Sequence, residues 1–253
     1  MGKLVVIANR KGGVGKTTLT ISLAVLLARA GLRVVAVDGD PQGNLTSLCL
    51  DGNSDDGLYE MLVSKKLLPL SQVVRRVEFS GTAFGAITGD LSTAHALMLL
   101  ALSQRLDEVQ KRLTAIAQMV DVLLLDMPPS TVVGFEQMLQ AGDWLLVPAR
   151  MERLSIEGAG QMITLARSQR IRLMGVVPTA VRAVIEHKEQ ARELLKVLRD
   201  VGVPDALWSP IPDSIKVAEA QAMGQAIFDY QPLNPAALAL QRLGRNVLGV
   251  LRG

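Results

Sequence analysis

The chain has 253 residues, 49% of them hydrophobic and 20% charged. That length can bury a sizeable core in one α/β domain, and so many aliphatic residues exclude a disordered or fibrous chain. The formal net charge of +3 permits an anionic partner without requiring one, and 3% aromatic residues are too few for the base-stacking platforms of single-strand binders. Cys49 is the only cysteine, which rules out an intrachain disulfide or a four-cysteine metal site within one subunit and suits a reducing cytoplasm. No run reaches the length of a membrane-spanning helix, and the first apolar run is too short for a signal peptide.

Short runs of Val, Leu and Ile alternate with longer segments of helical period, as in parallel strands buried on both faces by crossover helices. In chain order the spacing predicts a strand at 4–8, a helix at 17–30, a strand at 34–38, a surface loop at 51–57 and a strand at 84–88. A long helix at 92–118, strands at 122–126 and 144–148, a helix at 154–170, a strand at 173–178 and helices at 186–201 and 235–251 follow. The expected fold is α/β, a doubly wound and mainly parallel sheet flanked by helices in one domain over 1–253. Nothing precedes the first strand that could hold a helix-turn-helix, so sequence-specific DNA reading is not expected.

Residues 9–18 read NRKGGVGKTT, between the first strand and the first helix. Glycines let backbone N–H groups turn inward around phosphate oxygens, the helix start favours the same anion, and Lys16 adds a full charge. Gly12, Gly13, Val14 and Gly15 form the cradle. Thr17 is expected on Mg²⁺ and Thr18 on phosphate. The usual GxxxxGK[ST] pattern would place its first glycine where this chain has Arg10, so the loop is a variant that carries an additional Lys11. Lys11 cannot easily reach the same nucleotide as Lys16, and a second subunit's nucleotide is its natural target.

KGGVGKTT resembles the deviant Walker A box of the ParA/MinD superfamily, whose members dimerise face to face around two ATP molecules. The resemblance implies that Lys11 crosses the interface to neutralise phosphate charge in the other site. The strand at 34–38 runs into Asp38 and Asp40, and the strand at 122–126 ends in Asp126, all where ligands sit in open α/β sheets. By resemblance, Asp38 lies close to the metal, Asp40 orients the attacking water, Asp126 is the Walker B carboxylate, and Pro128, Pro129 and Ser130 form switch II. A strand-end Asp can equally be a helix cap; three beside one phosphate loop favour the metal. No [NT]KxD pattern for guanine is present, so ATP is the expected nucleotide, with Pro178 and Pro212 as candidates beside adenine.

DPQGN at 40–44 and DMPPS at 126–130 resemble the partition ATPases ParA and Soj more than the membrane-cycling MinD branch. VPARMERLSIEG at 147–158 and IPDSIKVAEAQAMGQAI at 211–227 match two further stretches of the family. The resemblance spans nearly the whole chain. It implies an ATP-bound homodimer, non-specific DNA binding, slow hydrolysis stimulated by a ParB-like protein or cargo adaptor, and a cytoplasmic, nucleoid-associated location. The cargo is open among plasmid, chromosome and protein body. An iron–sulfur ATPase of this family would need two cysteines per subunit, and a small-molecule kinase would leave Lys11 without a task. The chain departs from the family at Asp213, where an arginine is usual, and at Gln221 and Ala226, where prolines are usual.

Two surfaces remain ambiguous. Lys188, Arg192, Lys196 and Arg199 recur along one face of the helix at 186–201 and are candidates for DNA phosphates, yet Glu189, Glu193 and Asp200 beside them suit ordinary surface ion pairs. In the last helix Leu240, Leu243, Val247, Leu248 and Leu251 share a face opposite Arg242, Arg245 and Arg252. That face either rests on a membrane, the MinD-like alternative, or closes the domain, and the glycines at 244 and 249 favour closure.

Overall fold

A computed structural model of the chain describes residues 2–50, 57–129 and 132–253. Among the described residues seven strands form one sheet: β1 (Lys3–Ile7), β2 (Val34–Asp38), β3 (Arg75–Phe79), β4 (Thr82–Ile87), β5 (Val122–Asp126), β6 (Trp144–Arg150) and β7 (Arg172–Thr179). Their order is β3-β4-β2-β5-β1-β6-β7, parallel throughout except for the antiparallel pair β3 and β4. The first half of the chain supplies α1 (Lys16–Arg29), α2 (Asn44–Cys49), α3 (Gly57–Val63), α4 (Leu70–Val73), α5 (Leu91–Leu102) and α6 (Asp107–Ala117). The second supplies α7 (Phe135–Gln140), α8 (Arg153–Ser168), α9 (Ile185–Asp200), α10 (Ile215–Ala222), α11 (Ile227–Tyr230) and α12 (Pro235–Arg252).

The expected α/β sheet is present, and β2 and β5 are buried at every position, which is why they read as unbroken apolar runs. Strand alternation sends Leu4 and Val6 into one apolar layer, with α6 and α8, and Val5 and Ile7 into the other, with α1 and α12. The expected surface loop lies outside the described residues except for Gly57, which opens α3.

One expectation fails, and one strand has no counterpart among the expected elements. The helix at 92–118 is two helices: α5 ends at a Ser103 cap, and Gln104 turns into the left-handed region (φ 56°) before α6 starts. Leu113 and Ile116 can then reach the core that α5 fills with Leu97 and Leu100. β3 was not expected. Its alternation, with Val77 and Phe79 buried and Arg76 and Glu78 exposed, is that of an edge strand with one solvated face.

Candidate functional site

The loop between β1 and α1 lies at the carboxyl end of the central strands. It bends through Gly13 (φ 72°) and Gly15 (φ 92°), dihedrals that favour glycine. Gly15 caps α1, so the first-turn N–H groups lack intrahelical partners and are available to an anion. Val14 is buried, and its carbonyl accepts the Thr179 hydroxyl at 2.8 Å, which ties the loop to the end of β7. Lys11 and Gly12 are exposed, and the Lys11 N–H donates to Asn9 Oδ1 at 3.0 Å.

Lys16 is 7% exposed, and burial lowers its pKa while Asp126 and Asp40 hold it up. Asp38 and Asp126 stand in register at the ends of adjacent strands. Burial pushes Asp126 up to about 8, helped by the charges of Asp38 and Asp40 and opposed by the Thr17 hydroxyl and Lys16. Asp38 is pushed up to about 6, burial outweighing the Thr46 N–H and hydroxyl, each 2.8 Å from Oδ2, and the Asp40 N–H, 3.2 Å from Oδ1. Asp38 thus anchors the chain that carries Asp40. Asp40 is half-buried, with Oδ1 accepting the Gln42 N–H at 3.0 Å.

Thr17 Oγ1 donates to Asp126 Oδ2 at 2.6 Å, while Asp126 Oδ1 is buried without a hydrogen-bond partner. A hydroxyl and a carboxylate with unused lone pairs beside a phosphate cradle fit Mg²⁺, which takes one or two protein ligands and completes its shell with phosphate and water. Among the described residues no group of three or more His, Cys, Asp or Glu side chains forms a closed metal cage. Pro128 and Pro129 follow directly after Met127; Ser130 lies outside the described residues.

A cleft of about 350 Å³ opens beside the loop, with Gly13, Gly15, Thr18, Thr179, Pro212 and Gln221 among its lining. Pro178 does not line it: it is buried within β7, opposite Ala149, and strand alternation gives the position to Thr179 instead. Thr18 is half-buried and accepts the Gln221 side-chain N–H at 3.4 Å.

Known proteins resemble this chain over most of its length. The AAA_31 family, described as an AAA domain, matches residues 2–173. Chromosome-partitioning ATPase Soj of Thermus thermophilus is 34% identical, covering 96% of this chain and 94% of its own length. Chromosome partitioning protein ParA of Caulobacter vibrioides is 30% identical, covering 97% and 94%. The chain belongs to the ParA/MinD family. The cell division ATPase MinD of Pyrococcus furiosus shares the fold with a TM-score of 0.81 at 21% identity, over 99% of this chain and 100% of that one. Cobyrinic acid a,c-diamide synthase of Mycobacterium smegmatis, solved with bound ADP and magnesium, has a TM-score of 0.75 at 27% identity, over 98% and 94%.

On this ParA/MinD scaffold Lys188, Arg192, Lys196 and Arg199 are all exposed on α9, whose inward face is Leu194 and Leu198. Lys196 pairs with Glu193 at 3.7 Å; among the described residues the other three have no carboxylate partner. Asp213, at the family's usual arginine, pairs with Arg182 at 2.6 Å on the rim of the cleft. The apolar face of α12 docks on the layer that holds α1, with Leu240, Leu243 and Val247 buried and Gly244 against Leu26. Among the described residues no helix is long and apolar enough to cross a membrane.

Asn9, Thr46, Thr179 and Gln221 belong to the site and were not anticipated. Asn9 and Thr179 adjoin segments already marked, the loop and the VVPT strand end. Thr46 carries no signal in the sequence, and Gln221 shows there only as a departure from the family's usual proline, because their partners come from chain folding back.

Proposed function

We propose that the chain is a ParA-type ATPase, one P-loop domain over residues 1–253 that binds ATP with Mg²⁺ and then pairs face to face with a second copy. In that state it holds DNA non-specifically on the nucleoid, and a ParB-like protein or cargo adaptor stimulates its slow hydrolysis. The observation that carries this reading is Lys11, exposed at the loop entrance with no carboxylate partner among the described residues, while Lys16 is buried at the start of α1. The relatives' names, a chromosome-partitioning ATPase and a chromosome partitioning protein, support the same branch.

Lys16 and the first turn of α1 bind the phosphate tail. Thr17 and Asp126 would hold Mg²⁺, which when bound opposes the negative charge of the β- and γ-phosphate oxygens. Asp40 orients the water that attacks the γ-phosphorus as the bond to the bridging oxygen breaks, and Asp38 with Thr46 keeps Asp40 in place. Lys11 of the second copy adds the cation that a single chain lacks.

The testing experiment is co-sedimentation of the ATP-loaded Asp40→Ala protein with DNA and, separately, with anionic vesicles across a salt series. Asp40→Ala is expected to bind ATP, accumulate a long-lived dimer and follow DNA with falling affinity as salt rises. A monomer under ATP would overturn the mechanism, and retention by vesicles alone would replace it with the MinD-like reading.

A further inference from the structure

The motif at 147–158 has no part in the chemistry described so far, yet its residues converge on the phosphate loop. Asn9 has no solvent exposure. Its Nδ2 donates to the carbonyls of Pro148, at 2.8 Å, and Ser155, at 3.1 Å, and lies 3.5 Å from Ser155 Oγ. Ser155 Oγ also accepts the N–H of Arg150, fixing the start of α8 to the end of β6. The remaining polar atom, Asn9 Oδ1, accepts the N–H of Lys11. A turn further along α8, Gly158 faces the same atom: a Cβ there would lie 2.6 Å from Asn9 Oδ1.

We propose that Asn9 is the positioning residue for Lys11, and that Ser155 and Gly158 of α8 hold it so that the loop entrance presents the Lys11 ammonium to a second copy. The proposal rests on the cross-interface reading of Lys11 given above. Asparagine is the side chain this geometry asks for, since two carbonyls need a donor on one side and a backbone N–H needs an acceptor on the other. Aspartate would set a carboxylate against both carbonyls, and serine is too short to span the gap. The link from side-chain oxygen to the N–H two residues on is an Asx turn, which fixes the direction of the chain at Lys11. Because the donors are satisfied from β6 and α8, the turn cannot swing as a unit, and Lys11 loses backbone freedom before any partner arrives.

Gly158→Ala is the sharper test, because it lies outside the phosphate loop and raises intrinsic helix propensity within α8. On the Asp40→Ala background, Asn9→Ala, Gly158→Ala and Lys11→Ala are compared for monomer affinity towards a fluorescent ATP analogue and for dimer yield by sedimentation with ATP. Gly158→Ala is expected to hold nucleotide within about threefold of the parent while dimerisation weakens tenfold or more, and Asn9→Ala to weaken dimerisation at least as much. Either substitution added to Lys11→Ala should weaken dimerisation no further. Additive losses, or nucleotide affinity falling in step with dimer yield, would show a merely structural role and overturn the proposal. Full dimerisation by both variants would overturn it while leaving the cross-interface reading intact. A parent that remains monomeric with ATP would remove that reading, and the proposal with it.

Discussion

The acidic centre and the basic stripe of α9 are both clusters of charge, and the fold treats them oppositely. Asp38 and Asp126 are buried at strand ends and Lys16 at the start of α1, and the charges of Asp38 and Lys16 both bear on the protonation of Asp126. The four cations of α9 stand in solvent, with one surface ion pair among the described residues. Buried charges interact strongly and are costly to leave unpaired, so the centre should respond as a unit. Exposed charges are screened and should respond one by one.

The sharpest test of that contrast is Lys16→Ala, which removes the one buried cation of the cradle. Nucleotide affinity should fall by roughly a thousandfold or more, about 4 kcal/mol, in a titration with fluorescent ATP analogue. A change below tenfold would place Lys16 outside the phosphate contacts.

Stability should also depend on pH through the two raised carboxyls. In the unfolded chain both ionise near 4, whereas in the folded, metal-free protein Asp38 holds its proton to about 6 and Asp126 to about 8. Between those values the folded state binds more protons, so stability is greatest at the acid end and declines as pH rises from about 4 to 8, by up to about 8 kcal/mol. Denaturant melts of nucleotide-free, Mg²⁺-free protein at several pH values measure the slope. Asp126→Asn should flatten it, and a stability that rises over the same range would break the picture of a coupled centre.

Thr46→Val keeps the shape of the side chain but strips a hydroxyl from buried Asp38 and from the Gly89 N–H, which it accepts at 3.0 Å. We expect a loss of about 2 kcal/mol in chemical denaturation and slower ATP turnover, since Asp40 depends on Asp38 for its backbone contact. The smallest effects belong to α9. Lys188→Glu, Arg192→Glu and Arg199→Glu should each reduce the log–log salt slope of DNA binding by about one, and leave melting nearly unchanged. Lys196→Glu should do least, because Glu193 already offsets its charge. Salt slopes that ignore all four substitutions would assign the helix to ordinary surface and move the DNA contact elsewhere.

Much of the site was legible because its elements are local. Glycines, lysine and threonines sit within one strand–loop–helix segment, and each acidic residue ends or follows a run of apolar residues that can only be a buried strand. The helix break at 103–106 was not legible, for it contains no Gly or Pro, and the turn at Gln104 is imposed by packing of α6 on the core. β3 was missed because its period of two differs from the unbroken runs of its buried neighbours. The face of α12 was ambiguous for a related reason: an amphipathic pattern records that a face is covered and not by what, and here α1 and its layer cover it.

The sequence by itself determined the phosphate cradle, the strand-end carboxylates, the mainly parallel sheet and the family, since these follow from residue type and spacing within short segments. Tertiary structure alone decided what holds the cradle. Asn9 meets Pro148 and Ser155 across 139 and 146 positions, Thr179 meets Val14 across 165, and Thr18 meets Gln221 across 203. Hydrogen bonds between such distant positions depend on how whole strands and helices stack, and no local pattern of side chains encodes them.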